Sequence, residues 1–574
     1  MNDYIKNYEA WLNSGKLTAD ETSELDSIRN DEKEIKERFS CYLSFGTAGL
    51  RGIMKTGMNA MNVRTVAHAT MGVAKYIIKE GRAADGVVIG HDSRNNSRLF
   101  AKTAAGVLAA NGIKVYIFDD LRPTPEISFA LRHLGCVSAI NVTASHNPKE
   151  YNGYKVYWED GAQIGGDIAT AISDLIAKTD IFDGIIAEDF DEAVKAGKIE
   201  MLGEEIDEKY LAAVMAEAVN PDVIKKVSDE LKIVYSPLHG AGYKMVPEML
   251  RRMGLKHLYI VKEQGTPNGD FPTVAKPNPE YIEVFNIGID IANDIGSDLI
   301  LATDPDADRI GAIARAKDGK FVRITGNQMG ALLLDYILTA YEDTDTMPDE
   351  PYAIKTIVTT ELAAKVCKAH GVEIFNVLTG FKFIGEVIKN HEEAGHGSFV
   401  FGFEESYGYL KGNYARDKDA VVATMLVTEM TAYYKTKGMT LIDALEELWN
   451  RIGYSFEHTE ELFIPGLDGA AQIKQIMENF RDNTPKSIGG VKVVSVGDYL
   501  NRYFIDTATG EKSHTGLPRS NVMYFKLENG DVVVARPSGT EPKIKFYYLI
   551  TSATKENVPA MLEAYVSSVN EFKK

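Results

Sequence analysis

The sequence predicts an α/β protein built of three consecutive rounds, followed by a smaller α+β domain. Three observations carry this expectation. Short apolar runs of strand length alternate with helix-length periodic segments from Val66 to Phe401, a pattern that predicts βαβ units and mainly parallel sheets. The pattern restarts twice, and each round delivers polar residues at the C-terminal end of a strand, which suggests a diverged internal repeat. A chain of 574 residues also exceeds one ordinary core, so three or four domains are expected.

In order, residues 1–40 are charged and helical in pattern and read as a packing extension. The first round has apolar-periodic Val66–Ile78, a strand at Gly86–Gly90, a helix at Ser97–Ala110, a strand at Ile113–Phe118, a helix at Pro123–Leu134 and a buried strand at Ser138–Val142. Asn147-Pro148 then breaks the chain, Asn152-Gly153 offers a tight turn, and Tyr154–Tyr157 resumes a strand. The second round has a strand from Lys232, a helix at Tyr243–Met253 and strands at His257–Val261 and Asp298–Ala302. The third has strands at Ala353–Val358, Val372–Val377 and Ser398–Phe401, with helices at Glu361–His370 and Phe381–Lys389. Beyond Ile452 the strands are irregularly spaced around one or two helices, as in an antiparallel α+β domain. The expected domains are 1–203, 204–323, 324–452 and 453–574.

Hydrophobic content of 45% with 25% charged residues fits a soluble globular protein. A net charge of −19 argues against a nucleic-acid binder but leaves room for an anionic substrate in a local basic pocket. No run approaches the ~18 apolar residues a membrane span needs. The opening MNDYIKNYEAWL lacks the apolar core of a signal peptide. Cys41, Cys136 and Cys367 are odd in number and lack metal spacing, so a reduced, cytoplasmic setting is expected.

Five loops carry the chemistry. Ser145, with His146 beside it, lies in Thr143-Ala-Ser-His-Asn-Pro148 after a strand, where open α/β sheets bind ligands; Lys155 could return on the next strand. Asp304-Pro-Asp306-Ala-Asp308-Arg309 sets three carboxylates at alternate positions after a buried strand. A solvated acidic turn is one reading; the favoured one is that in extended backbone they share a face and a hard cation resolves their repulsion, with Mg²⁺ the best fit. An EF-hand is excluded, because Arg309 and Arg315 stand at its glycine and glutamate positions. Arg309 would neutralise a phosphate from the other side. Phe45–Gly52, FGTAGLRG, is either a plain turn or a glycine-rich loop presenting Arg51 to an anion. Gly402-Phe-Glu404-Glu-Ser406 suits either a solvated turn or hydrogen bonding to a vicinal diol. Arg536-Pro-Ser538-Gly539-Thr540 ends a strand with donors for a phosphate dianion, without P-loop spacing. Lys382 is either a solvated helix-start lysine or another cation for the site.

FGTAGLRG, TASHNP, DPDADR, GFEES and RPSGTEP, in that order across nearly the whole chain, resemble the α-D-phosphohexomutase superfamily and, within it, the phosphoglucomutases. The resemblance implies four domains around a central cleft, the first three α/β with mixed sheets. It implies a phosphorylated Ser145, Mg²⁺ held by Asp304, Asp306 and Asp308 with Ser145 beside them, and Arg309 supporting the phosphoserine. Arg51 and Lys155 match residues for proton transfer and charge stabilisation, and His146 lies within the same catalytic motif. Glu404 and Ser406 match sugar-hydroxyl contacts, Arg536, Ser538, Gly539 and Thr540 the distal phosphate site, and Lys382 a lysine near the transferring group. The implied reaction interconverts glucose 1-phosphate and glucose 6-phosphate through glucose 1,6-bisphosphate, in a monomer or homodimer. Pro305, Ala307 and Ala48 depart from the best-known glucose branch and look more like one that includes bacterial phosphoglucomutases and enzymes acting on pentose phosphates. A phosphopentomutase, a phosphomannomutase, a bisphosphate synthase, a metal-dependent aspartyl phosphatase and a silent sugar-phosphate-binding protein are the rival readings.

Overall fold

The structure, a computed structural model, describes residues 3–46, 49–464, 469–538 and 543–573. The chain divides into two compact units. One comprises Met1–Ile324, Gly385–Ala394 and Gly408–Gly438; the other comprises Thr325–Ile384, Gly395–Tyr407 and Met439–Lys574.

In the first unit, three N-terminal helices enclose a small core of Tyr8, Trp11, Leu25, Ile35 and Phe39. Six strands follow: β1 (Gly49–Ile53), β2 (Val87–His91), β3 (Val115–Phe118), β4 (Ser138–Val142), β5 (Tyr151–Trp158) and β6 (Ile199–Leu202). They form one mixed sheet in the order β1-β5-β4-β2-β3-β6. β2 runs parallel to β3 and β4, and β5 runs antiparallel to β4 and β1. Every residue of β2 and β4 is buried, the signature of parallel strands covered on both faces. The Val63–Lys79 helix starts at Asn62, whose side chain accepts from the N–H groups of Arg64 and Thr65.

The same unit carries a second mixed sheet from β7 (Lys232–Ser236), β8 (His257–Ile260), β9 (Leu299–Thr303), β10 (Ile310–Arg315) and β11 (Phe321–Ile324), in the order β11-β10-β9-β7-β8. β7 is parallel to β8 and β9, and β10 returns antiparallel to β9. Val234, Ile300, Ala302 and Ile313 form part of its core.

In the second unit, β12 (Pro351–Thr356) runs parallel to both β13 (Glu373–Val377) and β14 (Ser398–Glu404). An antiparallel sheet follows, with Tyr454–Phe463 paired to Lys543–Ser552, then Val532–Pro537, Met523–Leu527 and Val491–Asp498. The helices Gly469–Asp482 and Val558–Phe572 accompany it, with Met477, Phe480, Tyr565 and Val569 in its core. Three α/β rounds with mixed sheets and a β-rich C-terminal domain are therefore present.

One local expectation is corrected. Asn152-Gly153 is not a turn but lies inside β5. Sheet pairing overrides local turn preference there, because a Cβ on Gly153 would stand 2.4 Å from the Thr143 carbonyl oxygen. The Asn152 side chain instead donates to Asn95 O and Ser97 Oγ, each at 3.0 Å. Among the described residues, no helix is long and apolar enough to cross a membrane. All three cysteines are free thiols.

Candidate active site

Ser145 sits just past β4 with φ of 51°, a left-handed conformation that a residue with a side chain adopts only when its surroundings impose it. Arg94 imposes it. Its fully buried guanidinium donates to the carbonyl oxygens of Ser145, Asn147 (2.6 Å), Pro148 (2.9 Å) and Tyr151 (3.2 Å). Asp92, at the end of β2, accepts from Arg94 Nε at 3.1 Å and from Thr143 Oγ1 at 2.7 Å. Thr143 Oγ1 in turn accepts from the Ser145 N–H at 2.8 Å. The loop is thus wrapped around one buried cation paired with one buried carboxylate. Ser145 Oγ projects from it, donating to Asp304 Oδ2 at 2.8 Å and standing 3.1 Å from His146 Nδ1. Burial, with Arg309 and Arg51 nearby, holds the His146 imidazole well below its ordinary pKa and so neutral.

The acidic segment is the hairpin loop between β9 and β10, closed by the Thr303–Ile310 pair. The three carboxylates do converge, but not as alternate residues of extended backbone. A tight turn brings them together: the Ala307 N–H donates to Asp304 O at 2.9 Å, and Ala307 has φ of 50°. Asp304 Oδ1 accepts from the N–H groups of Asp308 and Arg309, both at 3.1 Å. One oxygen from each of Asp304, Asp306 and Asp308 lies within 4.8 Å of the others, and all three residues are buried. Asp306 Oδ1 and Asp308 Oδ1 have no hydrogen-bond partner among the described residues. Buried carboxylates that converge with oxygens left without hydrogen bonds are costly unless a cation joins them. An all-oxygen donor set with room for further oxygens fits a hard divalent ion.

Lysines flank this cluster. Lys155 faces Asn141 in the β4–β5 register, four residues before Ser145, and donates to Asp306 Oδ2 at 2.8 Å. Lys418 lies 3.1 Å from Asp308 Oδ2 and 2.9 Å from Asp417 Oδ1. Its stem passes Gly408, where a Cβ would come within 2.0 Å of Lys418 Cδ. Thr124 holds Asp306 from behind, donating its N–H to the carbonyl oxygen and its hydroxyl to Oδ2, both at 2.8 Å. Arg309 pairs with Glu280 at 2.6 Å and has Nε 3.7 Å from Asp308 Oδ1. Arg51, on β1, reaches Asn147 Oδ1 at 3.3 Å.

Burial and the charges of Asp306 and Asp308 push the Asp304 carboxyl well above the ordinary carboxylate range. Burial opposes ionisation of Asp306 as well, but the Lys155 ammonium overrides it and holds Asp306 below that range. Burial would also discharge Lys155, and the carboxylates of Asp306, Asp308 and Asp417 more than offset it. The cluster is therefore buried and densely charged, where electrostatic effects are strongest.

The remaining sequence candidates belong to the second unit. Glu404 ends β14, is buried, and accepts from the Gly380 N–H at 2.8 Å. Ser406 follows it, half-buried. Lys382 lies 5.2 Å from the Phe383 ring centroid. Arg536 reaches Tyr547 OH at 3.4 Å, and the Ser538 N–H donates to Lys543 O at 2.8 Å. Gly539 and Thr540 lie outside the described residues.

Sequence reasoning missed Asp92, Arg94, Thr124 and Lys418. The first two carried a usable signal, since His91-Asp-Ser-Arg94 is also a polar loop at a strand's C-terminal end. Lys418, in a charged run before the Ala420–Thr436 helix, had none.

Fold and site together define an α/β enzyme with a serine hydroxyl set against a cation-type carboxylate cluster. The phosphoglucomutase/phosphomannomutase family descriptions match at residues 42–181 (α/β/α domain I), 208–318 (domain II) and 325–452 (domain III). The chain is 36% identical over 539 residues to a phosphoglucomutase of Staphylococcus saprophyticus, covering 94% of this chain and 96% of that one. It therefore belongs to the phosphoglucomutase/phosphomannomutase family of the α-D-phosphohexomutase superfamily, a family of isomerases. Two solved structures share the fold. The Paramecium phosphoprotein pp63/parafusin, in open form, has TM-score 0.70 and 18% identity over 93% of this chain and 95% of that one. A phosphoglucomutase/phosphomannomutase family protein from Burkholderia thailandensis has TM-score 0.64 and 18% identity over 92% and 97%.

Proposed function

We propose that this protein interconverts glucose 1-phosphate and glucose 6-phosphate, with Ser145 as the group that carries the phosphoryl. The observation behind this is the Ser145 hydroxyl at 2.8 Å from Asp304, within a triad of buried acids. Phospho-Ser145 gives its phosphoryl to the free sugar hydroxyl: the bond from Oγ to phosphorus breaks, a bond from phosphorus to the sugar oxygen forms, and the hydroxyl's proton ends on the released Oγ. Glucose 1,6-bisphosphate results, turns round, and returns its other phosphoryl to Ser145. When Ser145 is the nucleophile, the neutral His146 imidazole accepts the proton from Oγ. Lys155, Lys418, Arg51 and Arg309 stabilise charge on the transferring group, where most catalysis of phosphoryl transfer resides. Mg²⁺ bound by Asp304, Asp306, Asp308 and Ser145 would supply further charge neutralisation. Glu404 and Ser406 would bind sugar hydroxyls, and Arg536, Ser538, Gly539 and Thr540 the phosphate that is not reacting, with Lys382 near the transferring group. We read the chain as four domains (1–203, 204–323, 324–452, 453–574) in a cytoplasmic monomer or homodimer.

A coupled assay with Mg²⁺ and trace glucose 1,6-bisphosphate tests this reading, with ribose, mannose and glucosamine phosphates run in parallel. Glucose 1-phosphate should give the highest kcat/KM. Ser145→Ala should cut turnover on the order of 10⁴-fold or more, as loss of a covalent nucleophile does. Turnover by that variant equal to wild type, or a clear preference for the pentose phosphate, would overturn the reading.

A further inference from the structure

A recess of about 530 Å³ opens in the first unit beyond the C-terminal ends of β2, β3 and β6, between the Ser97–Ala110 and Phe190–Lys195 helices. Its volume is that of a small-molecule site. Its lining includes His91, Phe118, Arg98, Lys102, Phe190 and Lys195. None of these residues is used by the chemistry at Ser145.

Three features of the lining converge on one ligand chemistry. Arg98 and Lys102 stand at i and i+4 on one helix, so their like charges face each other across a single turn, an arrangement that an anion between them relieves. Lys195 also lines the recess but is paired with Glu192 at 2.7 Å, which leaves Arg98 and Lys102 as the cations for an anion, with Asp191 the one acid in the lining. Second, His91 is 95% buried by its 5% exposure. Its Nδ1 donates to the Asp92 carbonyl oxygen at 2.8 Å, which leaves Nε2 as an acceptor, and burial keeps the ring neutral. A buried acceptor lining an open recess suits a ligand hydroxyl or amine. Third, Phe118, Phe190, Ile117 and Met201 supply apolar surface for a ligand body, and the Lys102 ammonium already rests 4.4 Å from the Phe190 ring centroid.

We propose that this recess is a second ligand site, separate from the Ser145 site, that takes a phosphate monoester with an apolar or aromatic body. Arg98 and Lys102 hold the phosphate, because a guanidinium fork beside an ammonium matches its oxygens. The Phe118 and Phe190 side contacts the body.

Phenyl phosphate is the probe, titrated calorimetrically into the full-length protein saturated with glucose 1,6-bisphosphate so that the Ser145 site is filled. Inorganic phosphate is the second arm and reports the anion alone. Phenyl phosphate should bind wild type under this saturation, and more tightly than inorganic phosphate. The Arg98→Gln/Lys102→Gln double variant should bind it about tenfold or more weaker, as expected for two charge-assisted contacts, with unchanged mutase kcat/KM and melting temperature. Phe190→Ala should weaken phenyl phosphate and leave inorganic phosphate unaffected. No binding under saturation, or equal affinity in the double variant, overturns the proposal. So does inorganic phosphate binding as tightly as phenyl phosphate.

Discussion

The β4–β5 loop and the β9–β10 loop occupy the same place in two different sheets. In each, a buried strand lies parallel to a central neighbour, β4 beside β2 and β9 beside β7, and the chain then returns antiparallel. The first loop presents a hydroxyl and is wrapped around the buried cation Arg94. The second presents three carboxylates and is braced by Thr124 and by its own backbone N–H groups. β14 stands beside β12 in the same parallel relation, with Glu404 at its end and Ser406 just beyond. Equivalent strand ends thus carry unlike chemistry. The scaffold sets where a site forms, and the residues set what it does.

The strongest way to break this comparison is Arg94→Met. It removes the cradle of the serine loop and leaves Asp92 buried without its cation, a change worth about 3–5 kcal/mol. Thermal denaturation should show the loss, and incorporation of phosphate at Ser145 should fall with it. Arg94→Lys keeps the charge but not the fork and should be intermediate in both. Thr124→Val probes the other loop. It removes the hydroxyl bonded to Asp306 and should weaken the Mg²⁺ dependence of turnover about 10–100-fold, as lost outer partners of a metal ligand do. KM for glucose 1-phosphate should change little.

A smaller effect is expected at His68, which is buried with Nε2 donating to Thr179 O at 2.7 Å. Burial lowers its pKa in the fold below the ordinary 6.5. Below that pH the unfolded chain takes a proton that the folded chain resists, so this group's contribution to stability is lost as pH falls. His68→Gln should lose that share, and the melting-temperature gap between wild type and variant should narrow from pH ~7.5 to ~5.5. The smallest effect belongs to Ala307→Gly. Relief of the left-handed backbone opposes loss of a buried methyl, so stability should move by less than about 1 kcal/mol while the Mg²⁺ dependence is kept.

Much of this was legible in the sequence, for physical reasons. Fully buried strands such as Val87-Val-Ile89 and Leu299-Ile-Leu301 read as continuous apolar runs, so the alternating order of elements could be followed. Ser145 and the three aspartates were legible because polar residues directly after such strands have few structural duties. The turn at Asn152-Gly153 was misread because local preference says nothing of the Thr143 carbonyl that must pass Gly153. Convergence of the acids was foreseen with the wrong backbone, since the conformation of Ala307 is imposed by the hairpin. Thr124 and Lys418 reach Asp306 and Asp308 across distant segments, and nothing beside them in the chain announces those partners.

The most direct test is to turn the enzyme over with ³²P-labelled glucose 1,6-bisphosphate, quench it, and map the labelled peptide. Label should appear on Ser145 alone, be lost in Ser145→Ala and be reduced in Arg94→Met. Label on an aspartate of Asp304–Asp308, or on no residue while turnover proceeds, contradicts transfer through Ser145.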